Sequence, residues 1–96
     1  MNYYQQGDVL LKAVDKTPKG AKAVKTNLLW KGQNHHHRVK GKFKIKKYES
    51  TLFLVSEGAT LFHEEHKDIN IPKGTYALDI VQEYDHFLEE SRAVID

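Results

Sequence analysis

Five of the six histidines in this 96-residue chain fall into two short clusters, His35-His36-His37 and the box His63-Glu64-Glu65-His66. Imidazoles and carboxylates gathered in this way are the donors of a divalent transition-metal site, provided the fold brings the two clusters together. Alternate residues of an extended strand share a face, so His35, His37 and Val39 point one way and His36, Arg38 and Lys40 the other. Val39 is apolar, which places the first set inward. The same alternation groups Ala59, Leu61 and His63 and turns Glu64 outward. The expected ligands are therefore His35, His37 and His63. His66 or Glu65 completes the shell, and Glu65 is also placed to act as a base. The chain has no cysteine, so thiolate ligands and disulfides are excluded. An imidazole-rich set suits Zn, Fe, Ni, Cu or Mn and does not choose among them. The box is not the zincin motif, whose two histidines lie four apart on a helix. The same residues also fit two plainer readings, a hydrogen-bonded structural cluster or an exposed polar turn.

The elements that must position these side chains read as short strands. Gly7 to Val14 is an apolar strand candidate, and Thr17-Pro18-Lys19-Gly20 is a turn. Ala21 to Trp30 is a second extended segment, followed by a turn at Lys31 to Asn34. His35 to Val39 and Lys42 to Tyr48 read as two strands hinged at Gly41. In the second, Phe43 and Ile45 face inward while Lys42, Lys44 and Lys46 face out. Thr51 to Ser56 is apolar on both faces and is expected to be central. Glu57-Gly58 reads as a turn, Ala59 to Glu64 as a strand, and Pro72-Lys73-Gly74 as a tight turn. Thr75 to Tyr84 is the longest strand candidate. His86 to Ser91 suits one helical turn, and Ala93 to Ile95 a return to the sheet. The pattern predicts one all-β domain over residues 1–96, a small barrel or two-sheet sandwich of about seven short, mainly antiparallel strands. Its expected core is Val9, Leu11, Phe43, Ile45, Leu52, Leu54, Leu61, Tyr76, Leu78 and Ile80.

Charge is divided unevenly along the chain. Residues 1–48 carry 12 Lys and Arg against Asp8 and Asp15, and residues 49–96 carry Lys67, Lys73 and Arg92 against 11 Asp and Glu, for a net +2 overall. Such a split favours complementary faces for self-association, or a contact with another protein, unless the halves interleave and cancel. Lys40, Lys42, Lys44, Lys46 and Lys47 form a basic strip suited to a partner surface or to nucleic acid. Tyr3, Tyr4, Trp30, Phe43 and Tyr48 lie among these and other lysines, which is the composition of an oligonucleotide-binding sheet as well as of an ordinary core and rim. No Gly-rich phosphate loop is present, and Ser50, Ser56 and Ser91 lack a nucleophile-elbow context. No apolar run approaches the ~20 residues of a membrane-spanning helix. The first residues lack a signal-peptide pattern, so a cytoplasmic location is expected, or the virion if the chain is phage-derived, with no membrane partner.

Several fragments carry a family resemblance. They are Gln6-Gly7-Asp8-Val9-Leu10-Leu11, then His35-x-His37-Arg38, then the run from Leu61 through His63-Glu64-Glu65-His66 and Ile71-Pro72-x-Gly74 to Tyr76. Glu83-Tyr84 and Arg92-x-Val94-x-Asp96 follow in order. Together they resemble a family of small, uncharacterised bacterial and phage proteins. Asn34 stands where that family has Gly, and Val81-Gln82 where it tends to have Gln-Arg. A weaker likeness is to cupins, which hold a metal with an HxH pair and a later histidine. The resemblance implies a compact β fold and the order of the motifs, and no reaction. The leading expectation is a β-barrel binding a divalent metal or small ligand through its histidines. The alternative is a non-enzymatic phage virion or assembly component that self-associates through its charged faces.

Overall fold

The computed structural model describes residues 3–31 and 36–80. Eight strands follow one another: β1 (Tyr3–Gln6), β2 (Val9–Val14), β3 (Lys22–Val24), β4 (Leu28–Lys31), β5 (His36–Tyr48), β6 (Thr51–His63), β7 (His66–Ile71) and β8 (Gly74–Ile80). All pairings are antiparallel, and among the described residues there is no helix. The all-β expectation holds, with eight strands in place of about seven. Among the described residues the expected small barrel or two-sheet sandwich does not form. The strands make a single sheet in the order β1-β2-β8-β6-β5-β3, with β4 added on β5 and β7 on β6, and it is not closed into a barrel.

The framework is one long hairpin. β5 and β6 each run 13 residues and pair along most of their length. The outer edge of β5 takes β4 near its start and β3 near its end; the outer edge of β6 takes β8 and then β7. Gly41 and Glu57-Gly58, which the sequence marks as a hinge and a turn, instead lie inside these strands. The register shifts by one residue between Gly41 and Phe43, the signature of a β-bulge. Gly41 has φ +103°, and a Cβ there would sit 2.6 Å from the Gly58 carbonyl oxygen. Ser56 holds the irregularity from inside: its Oγ donates to Ile71 O at 2.8 Å and accepts from the N–H groups of Gly58 and Ala59, each at 3.1 Å.

The core lies on one face. Val9, Leu11, Ile45, Leu54, Leu61 and Tyr76 are buried as expected, joined by Leu29, Val39, Ala59 and Ile71. Phe43, Leu52, Leu78 and Ile80 pack against this cluster while partly exposed. Tyr76 donates to Pro72 O at 2.9 Å and meets the Tyr4 ring edge-on. Charge interleaves across the sheet. Lys12 pairs with Asp79 and Lys40 with Asp68, both at 3.6 Å, each joining a cation of the first half to an acid of the second. The segment Ala21–Trp30 divides into β3 and β4, and Tyr3–Gln6 is a strand where none was expected. His35, the expected helical turn at His86–Ser91 and the return at Ala93–Ile95 lie outside the described residues.

Candidate functional site

The box His63-Glu64-Glu65-His66 is the tip of the β6–β7 hairpin. His63 and His66 are Cα partners across it, and Glu64-Glu65 form its exposed turn. Residues directly opposite in an antiparallel pair project to the same side. The two imidazoles accordingly lie together, ring centres 4.7 Å apart. The Glu65 N–H donates to His63 Nδ1 at 3.0 Å.

β5 brings the third imidazole. His37 is 2% exposed, on the same inward face as Val39. Its ring centre lies 4.3 Å from that of His63 and 6.1 Å from that of His66. Three imidazoles on one tetrahedral ion, with metal–nitrogen bonds of about 2 Å, have ring centres about 5 Å apart. The histidine alternation read from the sequence thus matches the placement of His37 and His63, and the hairpin adds His66. Glu65 is exposed at the turn, and His36 lies on the other face of β5 beside Arg38 and Phe62.

The turn between β1 and β2 closes over these rings, and its residues escaped the sequence reading as site residues. Gln6, 1% exposed, donates from Nε2 to Leu61 O at 3.1 Å and to Lys67 O at 2.8 Å. Those two bonds fix the amide, so its Oε1 faces His37 Nδ1 at 2.9 Å. Gly7 has φ +61°, and a Cβ there would lie 2.7 Å from His66 Nε2 and 3.4 Å from His37 Cε1. Asp8 places Oδ1 3.3 Å from His37 Nε2. Two signals in the sequence pointed here. Asp8 is one of only two acids in the first 48 residues, and Gln6-Gly7-Asp8 opens the run of motifs shared with the resembled family.

His37 therefore meets an oxygen acceptor at each ring nitrogen. Its pKa is lowered from 6.5 to about 4, first by burial and then by the neighbouring His63 and His66, with Asp8 opposing. At neutral pH the ring carries one proton. Gln6 Oε1 can only accept, so a proton on Nδ1 satisfies the shorter contact and turns the Nε2 lone pair to the Asp8 carboxylate. Among the described residues, no three His, Asp or Glu side chains converge as a metal-holding group. The donors are gathered but not yet aimed. His63 Nδ1 is engaged by the Glu65 N–H, so this ring must turn before it can join a shared centre.

The basic strip lies elsewhere. Lys42, Lys44 and Lys46 point outward from β5, as the alternation predicts, and line an open groove with Val55, Phe43 and Glu57. Lys40 sits over the Phe62 ring at 5.1 Å. Of the aromatics named with the strip, Tyr4 and Phe43 pack on the core, and Tyr3 and Trp30 are exposed. No helix among the described residues is long and apolar enough to cross a membrane.

No curated protein and no solved structure matches the chain. Residues 5–80 match the model of a family described as a domain of unknown function, DUF8820. That span runs from the second half of β1 through β8 and takes in Gln6, Asp8, His37, His63 and His66. The chain belongs to the DUF8820 family.

Proposed function

We propose that this small β protein binds a divalent transition-metal ion, Zn, Fe, Ni, Cu or Mn, between the β1–β2 turn and the β6–β7 hairpin. The ligands in this reading are His37 through Nε2, Asp8, His66 and, once its ring turns, His63. The observation that carries it is the double acceptor environment of His37. Gln6 Oε1 holds Nδ1–H, while the Nε2 lone pair meets a carboxylate oxygen at 3.3 Å. Two acceptors face to face repel unless a cation sits between them. Burial and the neighbouring imidazoles oppose a second proton there, and a metal ion satisfies both groups. Gln6 would then be the partner that fixes the ring of a metal-bound histidine, the usual arrangement around such ligands.

His35 stays in the proposal as a further ligand from the chain just before β5, and Glu65 as a base at the hairpin tip. An ion with an open position would lower the pKa of a bound water towards neutrality. The reading assigns binding and no particular reaction. Elemental analysis of protein purified without an affinity tag tests it. The expected result is close to one equivalent of one transition metal, or a clear rise in melting temperature on adding Zn, Ni or Fe, because a ligand that binds only the native state stabilises it. Less than about a tenth of an equivalent, together with no thermal shift, would leave the histidines as a structural polar cluster.

A further inference from the structure

The outward face of the β5–β6 hairpin takes no part in the histidine site. His36, Arg38, Lys40, Lys42, Lys44 and Lys46 alternate with the inward residues of β5 and form a row along that face. Successive members are about 6.6 Å apart along the strand, close to the spacing of phosphates along an extended single strand. Among the described residues no carboxylate lies within ion-pair distance of Lys42, Lys44 or Lys46. Val55, Phe43 and Glu57 line the groove that these three share, with Glu57 turned to Lys73 at 3.9 Å. At its His36 end the row runs into a cleft lined by His36, Arg38, Phe62 and Glu64. The Nδ1 of His36 is buried and has no hydrogen-bond partner. Buried polar atoms are rarely left so.

We propose that this face binds single-stranded nucleic acid. A base stacks on Phe62 within the cleft, and the His36 ring turns to offer it the unused Nδ1 as a hydrogen-bond partner. Glu64 puts a carboxylate on the cleft wall, which disfavours a phosphate there. The sugar-phosphate backbone follows Arg38 and the lysine row. Lys40, already over the Phe62 ring, marks it as a π-face that accepts a stacked partner. Basic tracks punctuated by aromatic platforms are how sequence-tolerant single-strand binders work. A lipid headgroup or an acidic peptide would use the lysines and leave the cleft unexplained.

Fluorescence anisotropy with a labelled 12-nucleotide single strand tests this, with the same sequence as a duplex and anionic phosphatidylserine vesicles run in parallel. The expected result is binding to the single strand at ~50 mM salt, with a log–log salt slope of about −2 to −3, as three or four phosphate contacts give. The Lys42→Glu/Lys44→Glu/Lys46→Glu variant, altered at outward-facing residues away from the core, should lose at least tenfold in affinity and flatten that slope. Phe62→Ala should weaken binding severalfold and leave the slope unchanged, since it removes stacking and no charge. Absence of binding at ~50 mM salt overturns the proposal. So does equal affinity for the duplex with no effect of Phe62→Ala, which would mark a general polyanion patch, and so does binding to vesicles alone.

Discussion

His37 is the residue on which the site turns, and its surroundings set a pH dependence of stability. Its pKa falls from 6.5 in the unfolded chain to about 4 in the fold. Between those values the unfolded state binds more protons, so stability rises with pH there. The contribution is complete above pH 6.5, is lost as pH falls towards 4, and is on the order of 3 kcal/mol at 1.36 kcal/mol per unit. Urea titrations at pH 7.5 and 4.5 should show this drop in the wild type and a much smaller one in His37→Phe; equal drops in both would remove His37 as its source. Gln6→Ala strands Leu61 O, Lys67 O and the His37 N–H, and should cost about 2–4 kcal/mol, as buried groups left unpaired do. Wild-type stability for this variant by urea titration would mean the amide is not the brace described. Gly7→Ala adds a Cβ 2.7 Å from His66 Nε2 at a positive φ. It should destabilise by about 1–2 kcal/mol, and pairing it with His66→Ala should recover the steric part. The inward placement of His37 and His63 was legible from strand alternation alone. The roles of Gln6, Gly7 and Asp8 were not, because their partners lie far along the chain: 31 residues away for the Gln6–His37 contact and 55 for Gln6–Leu61.

Among the elements, alternation and apolar content located β2, β5, β6 and β8, because each has one face on the core. The errors came where glycine was taken as a stop. Gly41 and Gly58 look like breaks in sequence, yet Ser56 satisfies the backbone of the bulge and the long hairpin runs through it. Ser56→Ala leaves buried Ile71 O and two N–H groups without their partner and should cost about 1–3 kcal/mol by chemical denaturation. A change below about 0.5 kcal/mol, typical of surface substitutions, would show the bulge to be held by other contacts. β1 was missed because Tyr-Tyr-Gln-Gln shows no apolar alternation; its one fully buried side chain is a glutamine. A turn at the box was legible, but the cross-strand pairing it makes was not. Glu64-Glu65 has neither the glycine nor the asparagine that marks two-residue turns, so the pairing of His63 with His66 could not be read from residue types.

At the scale of the molecule, eight strands in one bent sheet do what closure into a barrel would do. The β1–β2 turn comes back over the histidine rings, and the contact is made by side chains: Gln6 reaches Leu61 O and Lys67 O on the β6–β7 hairpin, and Asp8 reaches His37 on β5. Strand count and turn spacing could not distinguish that arrangement from a barrel or sandwich, since all three demand the same alternation. The division of charge between the halves is likewise met within the sheet, in part, by Lys12–Asp79 and Lys40–Asp68. The two faces of the β5–β6 hairpin carry different side chains: His37 and His63 inward, beside Asp8 of the β1–β2 turn, and a cationic row outward. The central claim is that the first of these binds a metal ion through His37 and Asp8 together. Calorimetric titration of Zn into tag-free wild type, Asp8→Asn and His37→Ala tests it most directly. The account predicts one site in the wild type, affinity at least tenfold weaker in Asp8→Asn and no binding in His37→Ala; equal affinity in all three, or no heat in the wild type, would contradict it.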